Sequence, residues 1–427
     1  MLVLLEPSSY HLQNAGDNAM LRVCAARIVT RWPEAELHVA TESPDRLRMV
    51  VPAAIAATRF VDLRDRVVGV GAPTGRKQPS RFDRLLKRRI HRRASTLFAE
   101  RLHRADCRRV ERDARFPILA SQVREFDLVV GTGGGYLTDC HRKQAQRVLW
   151  TLRLAQLQGI PTALFGQGIG PLDRGPLECL AAEVVARADL IGLREAQRGT
   201  DWLQKWGIDQ SRVAATGDDA IELACCADAV PAGGRIGLNV RICNYAGFRA
   251  EDAQRVARVV GEFAVRMDSP IEPIVVTTNS GEADDAALDG IGATSISGRQ
   301  ACDDGGLINS IATCRVIVTG SYHAAVFALA QGIPAIGIIA SDYYLHKFTG
   351  LADFFGRGCT LFRVHGEGDD ALDAMVASHW ESAPQLRDEL RRAAARQVAL
   401  SESLYDRLQE VMLDCTYRPL RECSSCA

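Results

Sequence analysis

The residues best placed to do chemistry lie in 315–350, RVIVTGSYHAAVFALAQGIPAIGIIASDYYLHKFTG. Ser321, Tyr322 and His323 stand where an apolar β-branched run (Val316, Ile317, Val318) has ended at Gly320 and a helical pattern opens. The unpaired N–H groups of a first helical turn suit an anion, and a histidine beside them can donate to it or move a proton near neutrality. The plainer alternative is that Ser321 is only an N-cap and His323 a bonded polar residue near the core. Other polar residues recur in comparable places. Asp17 follows the glycine of NAGDN, Asp139 closes TGGGYLTD, Gln167 sits within GQGIG, and Arg194 and Arg241 each end an apolar run. Gly133, Gly134 and Gly135 are consecutive. Three glycines together cost backbone entropy, so they imply close backbone approach or positive φ, in a tight turn or in a ligand loop.

The elements that must position these residues follow an α/β alternation. Val316–Val318, the helical pattern from Ser321 to Gly332 and the run Ile336–Ile339 form a strand–helix–strand unit. Its strands should be parallel and its crossover right-handed, with ligands bound outside the carboxyl ends of the strands. Upstream, strands are expected at Leu2–Leu5, Glu36–Ala40, around Arg59–Leu63, and at Phe126–Gly131, Pro161–Phe165 and Asp189–Leu193. Helices are expected at Ala19–Val29, Gln144–Gln158 and Glu178–Arg187. The strands before GTGGG, GQGIG, LRE and TGDD would bring those turns to one edge of a parallel sheet. Residues 226–234, CADAVPAGG, read as a linker. The pattern restarts with strand Ile236–Val240, helix Ala253–Arg266 and strand Pro273–Thr277.

The expected fold class is therefore α/β, with two Rossmann-like domains built on parallel sheets. The first covers 1–228 and carries a basic helical insertion at about 64–115; the second covers 229–368; helices and a cysteine-containing tail fill 369–427. A length of 427 residues accommodates two domains with ample core. With 52 basic and 52 acidic residues, no global field selects nucleic acid or membrane. The basic run RLLKRRIHRR at 84–93 suits a solvated helix or the attraction of an anionic glycan or undecaprenyl-linked acceptor. No apolar run reaches the ~18–20 residues that span a bilayer. The opening MLVLLEPSSYH lacks a basic n-region and reads as a first strand rather than a signal peptide. Most of the 13 cysteines sit in apolar patterns, as reduced core residues do. Cys423 and Cys426 form one CxxC, short of the two pairs that a structural zinc site usually shows, so no metal is expected.

In their order and spacing, NAGDNAM, VVGTGGGYLTD, FGQGIGP, GLREAQ, TGDDAIEL, SYHAAVFALAQGIPAIGI and the Lys347 of YYLHK resemble the polysaccharide pyruvyl transferase family, over most of residues 12–350. That resemblance implies a GT-B-like arrangement, two Rossmann-like domains facing one another across a cleft. It also implies transfer of the enolpyruvyl unit of phosphoenolpyruvate to two hydroxyls of a sugar, giving a cyclic pyruvate ketal and phosphate. In much of the family an Arg–Leu pair precedes the histidine and helps hold the donor. Here Ser321 and Tyr322 take those places, so Arg194, Arg241 or Lys347 would have to supply the cation.

Such a reaction needs an acid, a base, and cations or helix N-termini around the donor. The resemblance makes His323 the candidate acid, and Asp139 and Asp17 candidate bases. Gly133, Gly134, Gly135, Gln167, Arg194, Arg241, Ser321, Tyr322 and Lys347 are the candidate substrate contacts. No cofactor beyond the phosphoenolpyruvate donor is implied. The implied partners are a small-molecule donor and a saccharide or lipid-linked saccharide acceptor of a cell-envelope or exopolysaccharide glycan, without nucleic acid and with peripheral contact to a membrane-linked glycan. The expected location is the cytoplasm, at the inner membrane face where the acceptor is lipid-linked. Two alternatives share the architecture: a GT-B glycosyltransferase using a sugar nucleotide, and a diverged glycan-binding protein without catalysis. The acceptor sugar and the oligomeric state are left open.

Overall fold

A computed structural model describes residues 1–70, 94–173, 175–225, 234–240, 247–277 and 304–416. Its strands form two sheets. The first holds β1 (Leu2–Glu6), β2 (Glu36–Val39), β3 (Ile55–Ala56), β4 (Leu128–Gly131), β5 (Gly134–Leu137), β6 (Thr162–Ile169), β7 (Leu190–Leu193) and β8 (Val213–Ala215). Their order is β3-β2-β1-β4-β6-β7-β8, with β5 also paired to β6. The second holds β9 (Arg235–Asn239), β10 (Ile271–Pro273), β11 (Cys314–Thr319), β12 (Ala335–Ile339) and β13 (Cys359–Arg363), in the order β10-β9-β11-β12-β13. Neighbouring strands pair in parallel throughout, for example Val3 with Leu128 and Ile317 with Ala335. Parallel strands covered by helices on both faces must be apolar on both faces. Val3–Leu5, Leu128–Val130 and Val316–Val318 are accordingly all buried.

Helix starts carry the local signals that fix them. Asn14 caps the helix Ala15–Arg31 by accepting from Gly16 N (3.0 Å) and Asp17 N (3.2 Å). Ser341 caps Asp342–Phe355. The helix Tyr322–Ala330 is buried on every face, which suits an all-apolar crossover wedged between sheet and neighbouring helices.

Two seams and one long helix tie the sheets together. Ala15 N donates to Val276 O at 3.1 Å, and Asn14 bridges Thr277, so the first helix begins against the second sheet. Helix Asp369–Thr416 runs 48 residues, about 72 Å at 1.5 Å per residue. Its Leu386, Leu390 and Ala394 join the core of the second sheet. Farther along, Leu404, Tyr405 and Leu408 enter a core of the first, where Tyr405 stacks on Phe165 at 3.9 Å. Between them lies the second seam. Arg27 meets Asp219 (3.3 Å), Glu222 (2.5 Å), Glu402 (3.1 Å) and Ser401 (2.5 Å), and Ser401 donates to Asp219 at 2.7 Å.

Some expectations need correction. The segment around Arg59–Leu63 is part of a helix, Thr58–Val68, whose buried Phe60, Val61, Arg64 and Val67 follow helical spacing. The nearby strand is the two-residue β3. GTGGG and GQGIG are largely strands, since β5 begins at Gly134 and β6 continues to Ile169. Residues 226–233 of the linker, Arg241, the basic run 84–93 and the Cys423–Cys426 tail lie outside the described residues. Among the described residues no helix is long and apolar enough to cross a membrane.

Candidate active site

A cavity of about 250 Å³ opens where the carboxyl ends of the two sheets meet. The first sheet supplies Ser8 to His11 after β1, Asn14 and Asp17 at the start of the first helix, Gly135, and Arg194 after β7. The helix Arg142–Leu157 adds Gln144 and Arg147, with His141 just before it. The second sheet supplies Tyr322 and His323 after β11, and Tyr343, Tyr344 and Lys347 after β12. Four helices thus begin at the cavity: Ala15–Arg31, Arg142–Leu157, Tyr322–Ala330 and Asp342–Phe355. Each presents the positive end of its dipole, and in the first of them Val276 O and the Asn14 side chain already take the N–H groups of Ala15, Gly16 and Asp17.

His323 lies at the junction and is 8% exposed. Gly16 packs so closely on it that a Cβ there would fall within the imidazole ring. Its Nε2 lies 3.9 Å from Asp218 Oδ2. Asp218 is buried in the turn after β8, takes a hydrogen bond from Ala220 N at 3.0 Å, and is pushed up to about 6 by burial, against the opposing charge of Arg194.

Charge in the cavity is lopsided. Arg147, Arg194 and Lys347 are basic, while Asp17 is the one carboxylate among the described lining residues. Arg147 is partly neutralised by Glu42 (2.9 Å) and Asp65 (2.5 Å). Arg194 is buried, with its guanidinium 4.5 Å from the centre of the Tyr322 ring and its Nη1 3.5 Å from Asp218. Its Nε has no hydrogen-bond partner among the described residues. A Cβ at Gly168 would come 2.9 Å from that Nε, and one at Gly135 would overlap the guanidinium and approach Lys347 Cε at 2.9 Å. These glycines make room for the cations. Lys347 lies 4.3 Å over the Tyr343 ring, and Tyr343 reaches the other half through Gly135 O (3.3 Å) and His141 (3.2 Å).

Of the expected site residues, Asp17, Gly135, Arg194, Tyr322, His323 and Lys347 come together at the cavity. Others do not line it. Gln167 is fully buried and donates to Thr132 O (2.7 Å), Tyr136 Oη (2.9 Å) and Phe165 O (3.0 Å), which makes it a brace between β4 and β6. Gly133 leaves space for Met20, and Gly134 for Tyr136 and Ser8. Ser321 is 1% exposed at the start of its helix. Asp139 is tied to Arg142 and to Asp173 N away from the cavity lining, and burial raises its carboxyl. Sequence reasoning passed over Ser8 to His11, His141, Gln144, Arg147, Tyr343, Tyr344 and Asp218. Only Asp218 carried a signal, its strand-end TGDD turn.

One further group of metal-ligand types, His103, Cys107 and Glu183, joins helix Ala94–Glu111 to helix Pro176–Arg187. Glu183 Oε1 is taken by Arg153 (3.1 Å) and Arg187 (3.0 Å), and Oε2 by His103 (2.7 Å), so the group is an ion-paired joint.

The family model for polysaccharide pyruvyl transferase matches residues 14–263 and 306–343, which include the cavity's helix starts up to Tyr343. The chain belongs to this family. No curated protein matches this pyruvyl transferase family member in sequence. Among solved structures it is similar to a putative UDP-N-acetylglucosamine 2-epimerase from Listeria monocytogenes, with TM-score 0.58, 11% identity, and 97% and 96% of the two chains covered. It is also similar to a UDP-GlcNAc 2-epimerase from Neisseria meningitidis bound to UDP-GlcNAc (TM-score 0.52, 10% identity, 97% and 99% covered). A glycosyltransferase from Rickettsia africae aligns with TM-score 0.51 and 9% identity over 98% and 99% of the chains. At these identities the likeness establishes the GT-B fold, and the family match supplies the transferase class.

Proposed function

We propose that this protein transfers the enolpyruvyl unit of phosphoenolpyruvate to a sugar of a cell-envelope or exopolysaccharide glycan, forming a pyruvate ketal. The observation that carries the reading is the convergence of Arg194, Lys347 and four helix starts on the cavity that His323 and Asp17 also line. A donor bearing both carboxylate and phosphate needs such a cationic pole. Arg194, lying on Tyr322, supplies the guanidinium that the family's Arg–Leu pair would otherwise bring.

In the proposed reaction His323 gives a proton to the methylene carbon, which becomes a methyl group and leaves an oxocarbenium-like centre at C2. One sugar hydroxyl attacks that centre and loses its proton to Asp17. The C2–O bond to phosphate breaks, a second hydroxyl closes the ring, and its proton leaves with the phosphate. Developing negative charge on the leaving group faces Arg194 and Lys347. Donor and acceptor balance the reaction without a further cofactor. Asp17, at the cavity, suits the base role better than Asp139 at its distance. The acceptor is a saccharide, free or lipid-linked at the inner membrane face.

The test is incubation with saccharide acceptors and either phosphoenolpyruvate or a panel of sugar nucleotides, following phosphate release and ketal formation by NMR. Phosphate and ketal appearing together with phosphoenolpyruvate support the reading. Glycosyl transfer from a sugar nucleotide overturns it. Absence of turnover, with no thermal stabilisation by phosphoenolpyruvate, points instead to a glycan-binding protein.

A further inference from the structure

Asp218 is a buried carboxylate that the proposed reaction does not consume. It is 3% exposed and stands behind the cavity, with Oδ1 fixed by Ala220 N (3.0 Å) and Oδ2 turned toward Arg194 Nη1 (3.5 Å) and His323 Nε2 (3.9 Å). His323 Nε2 is itself buried, so the imidazole meets Asp218 by a nitrogen withdrawn from solvent. A carboxylate 3.9 Å from one nitrogen of an imidazole that borders a substrate cavity is within ion-pair range and stabilises the imidazolium by its charge.

We propose that Asp218 is a positioning residue that holds His323 through Nε2 in its charged form and aligns the Arg194 fork beside it. This rests on the pyruvyl-transfer reading for its catalytic consequence, and on geometry alone for the coupling between the two residues. The charged and titratable groups around the pair are Arg194 after β7, Asp219 in the same turn, Asp17 on the first helix, Tyr322 on the histidine's own helix and Lys347 on the next. Burial raises Asp218 while Arg194 lowers it, and its link to the imidazole rests on the 3.9 Å between Oδ2 and Nε2. An ionised Asp218 keeps His323 protonated to higher pH, and the basic limb of turnover lies correspondingly higher.

The test follows the His323 imidazole by NMR in ¹⁵N-histidine-labelled full-length protein without substrate, the signal being assigned by its loss in His323→Asn. Asp218→Asn should lower the imidazole titration midpoint by about one pH unit. It should also move the basic limb of turnover acidward and reduce kcat about ten-fold or more, part of the ~10²–10⁴-fold that a general acid supplies, with donor KM changed far less. Asp219→Asn, in the same turn but bonded to Arg27 and Ser401, should lower Tm and leave the titration in place. An unchanged imidazole titration in Asp218→Asn overturns the proposal, whatever the donor proves to be. So does a shifted titration with wild-type kcat on phosphoenolpyruvate. A shifted titration in a protein that never turns over phosphoenolpyruvate sinks the pyruvyl-transfer reading and leaves the coupling standing. If Asp218→Asn fails to fold, Asp218→Ser gives the same readout.

Discussion

Gly16, in the first turn of the helix that opens the chain, is the surface against which the imidazole of His323 rests. A methyl group at residue 16 has no room unless that ring moves. Gly16→Ala should favour the helix locally by up to ~1 kcal/mol and yet displace His323. We expect kcat at least about ten-fold lower, since about 1 Å of misplacement can cost two orders of magnitude, with Tm changed little. Wild-type kcat in this variant would show that the contact is incidental.

His323→Asn keeps a polar side chain of similar reach at the helix start and removes the acid. Turnover with phosphoenolpyruvate should fall ~10²–10⁴-fold, while donor binding weakens by roughly 1 kcal/mol. A variant of lowered Tm that turns over normally per folded molecule would make His323 a structural residue.

Arg194→Lys keeps one positive charge in the pocket made by Gly135 and Gly168 but loses the planar fork over Tyr322. Donor KM should rise about 10–100-fold, the loss of a charged hydrogen bond, with kcat reduced less. The comparison is made by steady-state kinetics at saturating acceptor. An unchanged KM would move the anion contact to Lys347.

The helix joint at His103 gives a pH signature in stability. Burial disfavours charge on this imidazole, but the contacts with Cys107 and Glu183 outweigh it and raise the group from 6.5 to about 9. Its stabilisation is therefore complete below pH 6.5 and is lost as pH rises through about 9. The His103 bond lowers Glu183 from 4.5 to about 2, with Arg153 and Arg187 assisting, so its share is complete above pH 4.5 and fades as pH falls toward 2. His103→Gln should cost on the order of 1–2 kcal/mol in urea titrations at pH 6, and little above pH 9.5. Equal losses at both pH values would count against the ion pair.

Much of this architecture was legible because parallel strands buried on both faces are continuous apolar runs, and because strand ends in such sheets share an edge. That reasoning found His323 and Arg194 from different parts of the chain, and the family resemblance added Lys347. It failed at Thr58–Val68, where the Phe, Val and Leu of RFVDL suit a short strand as well as a helix. It left the glycines open. Gly133 and Gly134 make room for Met20, Ser8 and Tyr136, and composition cannot separate that demand from close approach to a ligand. His141, Arg147 and Tyr343 reach the cavity only because helices of the two halves face each other, a relation that no local pattern encodes.

The seams described above bear on recombination. The Ala15–Val276 bond, the cluster of Arg27, Asp219 and Ser401, and the Leu390-to-Leu408 stretch of the long helix each join segments far apart along the chain. The halves are thus not interchangeable cassettes. A chimera that exchanges one half for a relative's inherits a mismatched back to its cleft unless the long helix and the Arg27 cluster travel with it. Splicing at 226–233 alone would graft a foreign floor under His323, because Gly16 belongs to one parent and the histidine to the other.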